Sequence, residues 1–373
     1  MQSSSSSIDA FFALLKAGLW ERSVQLLPYE PLDFEALYRI ADEQAVVGVL
    51  AAGLEFVEDR RITKQEAMPF LKGVVSTENR NSSMNKYIES LVIRMRRVGI
   101  YSLLIKGQGV AQCYARPQWR ASGDIDLFLN SQNYKKAKDY LSSIGDSVEP
   151  EGIYSKHLGI KIDSWTVELH GTLRCGLSKA IDNELDAIQD DTFISGNVRT
   201  WRNGETDVFL PAAGNDVLII FTHILSHYLK GGIGLRQICD WCRLLYAHRD
   251  SIDIAVLRQR IQNMRLMSEW KAFAAFAVNY LGMPPEMMPL YDSSQQLTKK
   301  AYFIRSFILK VGNFGKKRDM SYYDKYPYIV RKIISFGRRI GDLCRHVKVS
   351  PIDSLRFFPS IVFNGVRSAT RGE

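Results

Sequence analysis

Cysteine is scarce in this chain, and no motif pairs what there is. The five cysteines, Cys113, Cys175, Cys239, Cys242 and Cys344, are odd in number and widely scattered, which excludes an evenly paired disulfide framework and fits reduced thiols. Cys239-Asp240-Trp241-Cys242 is formally a CxxC, but it has no second pair and sits in a helical pattern, so it implies a structural role and no zinc ribbon. Long apolar runs are missing too. The stretch from Val217 to Leu229 contains His223, Ser226 and His227 and is too short to span a bilayer. The opening Gln2 and the serines after it lack the basic start of a secretory signal. Together these absences predict a soluble, cytoplasmic protein. GxSxG, the P-loop and GxGxxG are absent as well, so serine hydrolase, P-loop NTPase, kinase and Rossmann readings lack support.

Acids are sparse in one region. From Lys299 to Lys348, 14 Lys and Arg face Asp319, Asp324 and Asp342, a local excess of +11 on a chain whose net charge is +9. The basicity therefore belongs to the C-terminal part. Interleaved with Tyr322, Tyr323, Tyr326, Tyr328 and Phe336, this segment fits a nucleic-acid backbone or an acidic partner, and equally a solvated helical face.

What the chain does have is length and apolar content: 373 residues with 46% hydrophobic side chains suffice for a sizeable core in two or three units. Residues 1–98 read as helical, with Ile8, Phe11, Phe12, Leu15 and Leu19 at helical spacing after a serine cap and a longer helix from about Lys64 to Arg97, weakest at Asn79 to Ser83. The period changes over 99–211. Tyr101 to Ile105 reads as a buried strand, Lys106-Gly107-Gln108-Gly109 as a turn, Val110 to Tyr114 as the start of a helix, and Asp124 to Leu129 as a second strand. A helix from Ser131 to Ile144 follows, then antiparallel strands His157 to Asp163 and Trp165 to Gly171, and a further pair within Thr192 to Leu210 around Asn203-Gly204. Residues 212–373 return to helices, among them Ala213 to Leu229, Leu235 to Arg249, Ile254 to Met264 and Ser268 to Leu281. The expected fold is α+β, a small mixed sheet between helical flanks.

Chemistry concentrates at Gly123-Asp124-Ile125-Asp126-Leu127-Phe128-Leu129. Residues i and i+2 of a strand share a face, so Asp124 and Asp126 present their oxygens together. Such a pair is most readily kept when a hard divalent cation sits between its members. A third acid occurs in Val167-Glu168-Leu169-His170. If that strand neighbours the Asp124 strand, Glu168 completes a three-carboxylate site for two Mg²⁺ ions. His170 shares the face of Glu168, placed to orient it or to touch phosphate, or to serve as a hydrogen-bonded structural residue. His223 and His227, at i and i+4, form either a His-His-carboxylate metal site with Asp240 or a hydrogen-bonded core pair. Arg236 and Asp240 have the spacing of an intrahelical ion pair.

Leu104-Ile105-Lys106-Gly107, Tyr114, Arg120-Ala121-Ser122-Gly123-Asp124-Ile125-Asp126-Leu127 and Glu168-Leu169-His170 together resemble the uncharacterised nucleotidyltransferase family of the DNA polymerase beta superfold. His223-Ile224-Leu225-Ser226-His227 and Gly234-Leu235-Arg236-Gln237-Ile238-Cys239-Asp240 extend the resemblance, which covers roughly residues 99–250. It implies transfer of a nucleoside monophosphate from an NTP to an acceptor hydroxyl, with Mg²⁺ or Mn²⁺ held by Asp124, Asp126 and Glu168. It also implies nucleotide contacts from Lys106, Gly107, Arg120, Gly123, His170, Arg236 and Asp240, the last two on a helix that meets base or acceptor. Gly107-Gln108 stands where the superfold usually has Gly-Ser or Gly-Gly. That departure leaves Lys106 to supply a point charge to phosphate and motivates an alternative, a catalytically silent fold that binds nucleotide or a partner.

Overall fold

A reciprocal cap starts the longest element. Thr63 accepts a hydrogen bond from the backbone of Glu66, and Glu66 accepts one from the backbone of Thr63 at 2.8 Å. This satisfies two orphan N–H groups at the head of helix α4, Lys64–Arg97. Phe70, Val74, Asn81, Met84, Ile88, Leu91 and Met95 lie three, four or seven residues apart and form its buried stripe. The computed structural model describes residues 2–151 and 156–313, with the isolated positions 330, 334, 337, 341 and 357.

Three helices precede it: α1 (Gln2–Trp20), α2 (Phe34–Glu43, capped by Asp33) and α3 (Val47–Leu54). Because α1 already begins at Gln2, the serines run within its first turns instead of capping it near Ile8. Strand β1 (Leu103–Ile105) follows α4, and α5 (Gly107–Ala111) starts immediately after it. The expected turn at Lys106 to Gly109 is therefore shorter than its sequence pattern suggests. Lys106 and Gly107 both adopt positive φ, +57° and +42°, which reverses the chain within two residues and lets the helix begin at once.

The remaining sheet-forming segment comprises β2 (Ile125–Phe128), α6 (Ser131–Ile144), β3 (Ser147–Val148), β4 (His157–Ile162), β5 (Trp165–His170), α7 (Lys179–Phe193), β6 (Val198–Asn203) and β7 (Thr206–Pro211). The periodicity predicts neither β3 nor α7. Thr192 and Phe193, expected to lead into a strand, belong to α7, whose N-terminus Ser178 caps through Ile181. Helices α8 (Ala213–Lys230), α9 (Leu235–Ala247), α10 (Ile254–Asn263), α11 (Met267–Leu281) and α12 (Gln295–Val311) complete the described chain. The basic segment 299–348 is described continuously only through residue 313, so its expected partner surface lies mostly outside the described residues.

The seven strands form one mixed sheet ordered β3-β4-β5-β2-β1-β7-β6, as an α+β fold requires. β2 runs antiparallel to β1 and parallel to β5. Alternation then sorts side chains. Ile125, Leu127, Val167 and Leu169 bury against Met84, Ile88 and Leu91 of α4, while Asp126, Glu168 and His170 take the opposite face. The terminal helices share one apolar core, in which Phe221, Trp241 and Trp270 pack with ring centroids 4.8–5.3 Å apart. Each such side chain contributes about 1.5–3 kcal/mol by leaving water. Cys239 and Cys242 lie buried as free thiols in this core, the structural role expected of the CxxC. No helix among the described residues is long and apolar enough to cross a membrane.

Candidate active site

The sheet brings the three acids to one wall. Parallel pairing of β2 with β5 makes Asp126 and Glu168 register partners, and Ile105 is the antiparallel partner of Asp126 on the other side. Asp124 precedes β2, and all three acids line a cavity of about 1200 Å³. Lys106, carried past the end of β1 by the tight reversal, reaches Asp126 Oδ1 with its Nζ at 3.1 Å. His170 Nε2 meets the same oxygen at 2.8 Å, and His157 Nε2 meets Glu168 Oε2 at 2.9 Å.

Electrostatics differ sharply among these groups. Burial alone would raise the Asp126 carboxyl, but the Lys106 ammonium and the His170 hydrogen bond hold it far below the usual carboxylate range. Asp124 moves the other way, raised by burial and then by the charges of Glu168 and Asp126. The hydrogen bond to Glu168 raises His157, whereas burial and Lys106 lower His170. His157 is the functional candidate that the motif reading missed. It lies opposite His170 across the β4–β5 hairpin, a pairing that follows from counting outward from the Asp163-Ser164 turn.

Among the described residues, the side chains with metal-ligand atoms gathered within 4.8 Å include His157, Glu168 and His170. His223 and His227 meet edge to face with ring centroids 4.3 Å apart and line the same cavity, and burial followed by Lys106 pushes His227 down to about 4. The His-His-carboxylate arrangement with Asp240 does not form, because Asp240 is committed elsewhere. It accepts two hydrogen bonds from Arg120, at 3.1 and 2.5 Å, and one from Tyr114 at 2.8 Å. The expected intrahelical Arg236–Asp240 pair is likewise replaced. Arg236 donates to the Ala121 carbonyl at 2.9 Å, and burial lowers it to about 10.

The loop before β2 is held from α4. Asn81, fully buried, donates to the Gln118 and Arg120 carbonyls at 2.7 and 2.8 Å and accepts from Gln108 at 2.8 Å and Ser122 at 2.5 Å. Two donors and two acceptor sites exhaust what an asparagine amide offers. The stretch of α4 that looked weakest by composition is thus the one that fastens the Asp124 loop. Gln108, standing where the superfold usually has Ser or Gly, turns inward to this hub. Asn81→Ala is expected to cost about 2–3 kcal/mol, since four hydrogen bonds in a largely buried cluster lose their shared partner. A denaturant midpoint equal to that of the parent would refute the role of the hub.

The chain belongs to the uncharacterised nucleotidyltransferase family, whose sequence profile matches residues 30–282. No curated protein and no solved structure matches it. Membership in this family supports a general role in nucleotidyl transfer.

Proposed function

We propose that the protein moves a nucleoside monophosphate from an NTP to an acceptor hydroxyl, with Mg²⁺ or Mn²⁺ held by Asp124, Asp126 and Glu168. The observation that carries this reading is the β2–β5 register, which sets Glu168 level with Asp126 on the wall that also bears Asp124. Three carboxylates are the donor chemistry a hard divalent cation takes, and Asp124 is raised by burial and then by the charges of Glu168 and Asp126, although the ligand atoms already within 4.8 Å of one another are those of His157, Glu168 and His170. When bound, the ion neutralises phosphate charge and activates the attacking hydroxyl.

The chain's own residues supply the remainder. His170 and His157 hold Asp126 and Glu168 by one hydrogen bond each, the outer support that fixes carboxylate ligands. Lys106, whose Nζ lies 3.1 Å from Asp126 Oδ1 in the same cavity, would offer an ammonium to phosphate. Gly107 and Gly123 line the cavity without side chains, and the space around the Gly123 Cα is open, so backbone can approach a phosphate. Arg120 and Asp240 neutralise each other at 5% and 7% side-chain exposure and brace the wall. Arg236 stays near the charge of Asp124.

Calorimetric titration with each NTP tests the reading: binding is expected with Mg²⁺ and lost on adding EDTA. Affinity indifferent to chelation would sink the metal role. His157→Ala is expected to weaken Mg²⁺ binding about 10- to 100-fold, and unchanged metal affinity would remove His157 from the site. The contact of Lys106 with Asp126, which already neutralises one acid, favours the silent-module alternative. Label transfer from any NTP to an acceptor would eliminate that alternative.

A further inference from the structure

The cavity holding the acids, about 1200 Å³, exceeds the roughly 300–1000 Å³ typical of a site for one small ligand. It extends to both sides of the carboxylates. On one side stand His223, His227 and Lys230 of α8. On the other side, Asp124 feels Arg236 and Arg80. There the wall is made by α2 and α4, with Tyr38, Asp42, Lys72, Ser76 and Thr77 facing the space and the first turn of α9 forming the floor. Gln44, at the end of α2, joins wall to floor. Its Oε1 accepts from the Leu235 backbone at 3.1 Å, and its carbonyl accepts from that of Arg236 at 3.4 Å.

Two atoms of that floor are buried without a partner among the described residues: Arg236 Nε, a donor, and Gln237 Oε1, an acceptor. Gln237 is only 6% exposed, and its amide nitrogen is committed to Asn313 Oδ1 at 3.0 Å. A buried donor and a buried acceptor on two residues that line one cavity match a ligand whose groups both give and receive hydrogen bonds, as hydroxyls do. Among the described residues the charges of this limb are mixed in sign, Asp42 and Asp124 with Lys72, Arg236 and Arg80. A nucleic-acid end would instead call for a run of cations along its phosphates and a series of stacking rings, and the aromatic on this wall is Tyr38.

We infer that this limb, between α2, α4 and the start of α9, is the acceptor subsite and that the acceptor is a small, near-neutral polyhydroxyl molecule. The inference rests on the nucleotidyl-transfer reading above. In the step it serves, a hydroxyl oxygen of the acceptor bonds to the α-phosphorus of the NTP. The bond from that phosphorus to the bridging oxygen breaks, pyrophosphate leaves with the electron pair, and the hydroxyl proton passes to solvent.

The test offers the full-length protein α-labelled NTP and Mg²⁺ with three separate acceptor pools: monosaccharides and polyols, 3′-hydroxyl oligonucleotides, and serine- and threonine-containing peptides. Label is expected in the first pool. Label in either of the others would overturn the small-molecule acceptor while leaving nucleotidyl transfer standing, and label in none would overturn transfer itself and the acceptor with it. With the polyol found, Gln237→Leu and the exposed-site variants Asp42→Asn and Lys72→Met are expected to raise the acceptor KM about ten-fold with the NTP KM unchanged. An unchanged acceptor KM in all three would place the acceptor elsewhere.

Discussion

Asp126→Asn is expected to lower nucleotidyl transfer by about three orders of magnitude or more and to abolish Mg²⁺-dependent NTP binding. The substitution keeps the shape of the side chain and an oxygen for Lys106 and His170, which lie 3.1 and 2.8 Å from Oδ1. It removes the charge that a divalent ion needs. The fold should survive, because the Lys106 ammonium retains access to the cavity and Asp126 does not hold the sheet together; β2 is fixed by its backbone pairing with β1 and β5. Circular dichroism and thermal unfolding close to those of the parent, alongside lost transfer, would match this expectation. Transfer within ten-fold of the parent would show that Asp126 does not ligate a required metal.

The second large effect is on stability. Asp240→Ala leaves the Arg120 guanidinium buried with no counter-charge and removes the acceptor of the Tyr114 hydroxyl. Both side chains of the ion pair are almost fully enclosed, so the loss is expected to be about 3–5 kcal/mol in unfolding free energy, typical of breaking one half of a buried pair. Removing both charges at once behaves differently. The double variant Arg120→Met with Asp240→Leu should recover most of that stability, since no unpaired charge is then left buried. If the pair is a brace, the double variant also keeps its NTP affinity. Lost affinity in a stably folded double variant would instead return Arg120 or Asp240 to the nucleotide.

Much of this arrangement is legible before any tertiary contact is known. The boundaries of α4 and α6 follow from Thr63 with Glu66, from Asn130, and from the apolar stripe between them. Asp124 and Asp126 announce themselves by their i and i+2 spacing, but only Asp126 lies in the strand, since β2 begins at Ile125 and Asp124 reaches the cavity from the residue before it. Glu168 could be attached to them only conditionally, since neighbouring strands are chosen by packing, and the parallel β2–β5 register decides the matter. Other features run against local reading. The helix opening at Gly107 depends on two positive φ angles that composition does not display, and α7 has a weak pattern that its Ser178 cap and core contacts stabilise.

The identity of charge partners proved least legible. Spacing pairs Arg236 with Asp240, yet Asp240 turns to Arg120, 120 residues away in sequence. A carboxylate surrounded by several cations takes the one whose geometry allows two parallel hydrogen bonds in a dry environment, and only the assembled fold creates that environment. Asn81 shows the same point, a helical residue of low propensity whose value lies in four contacts to segments 27–41 residues distant. By itself the sequence determined the strand that carries Asp126, the helical flanks and the family resemblance, because periodicity and motif spacing are local properties. Tertiary structure alone decided which acids stand together, which cations they face and where a second limb opens beside them, because burial, strand order and charge pairing depend on residues far apart in the chain.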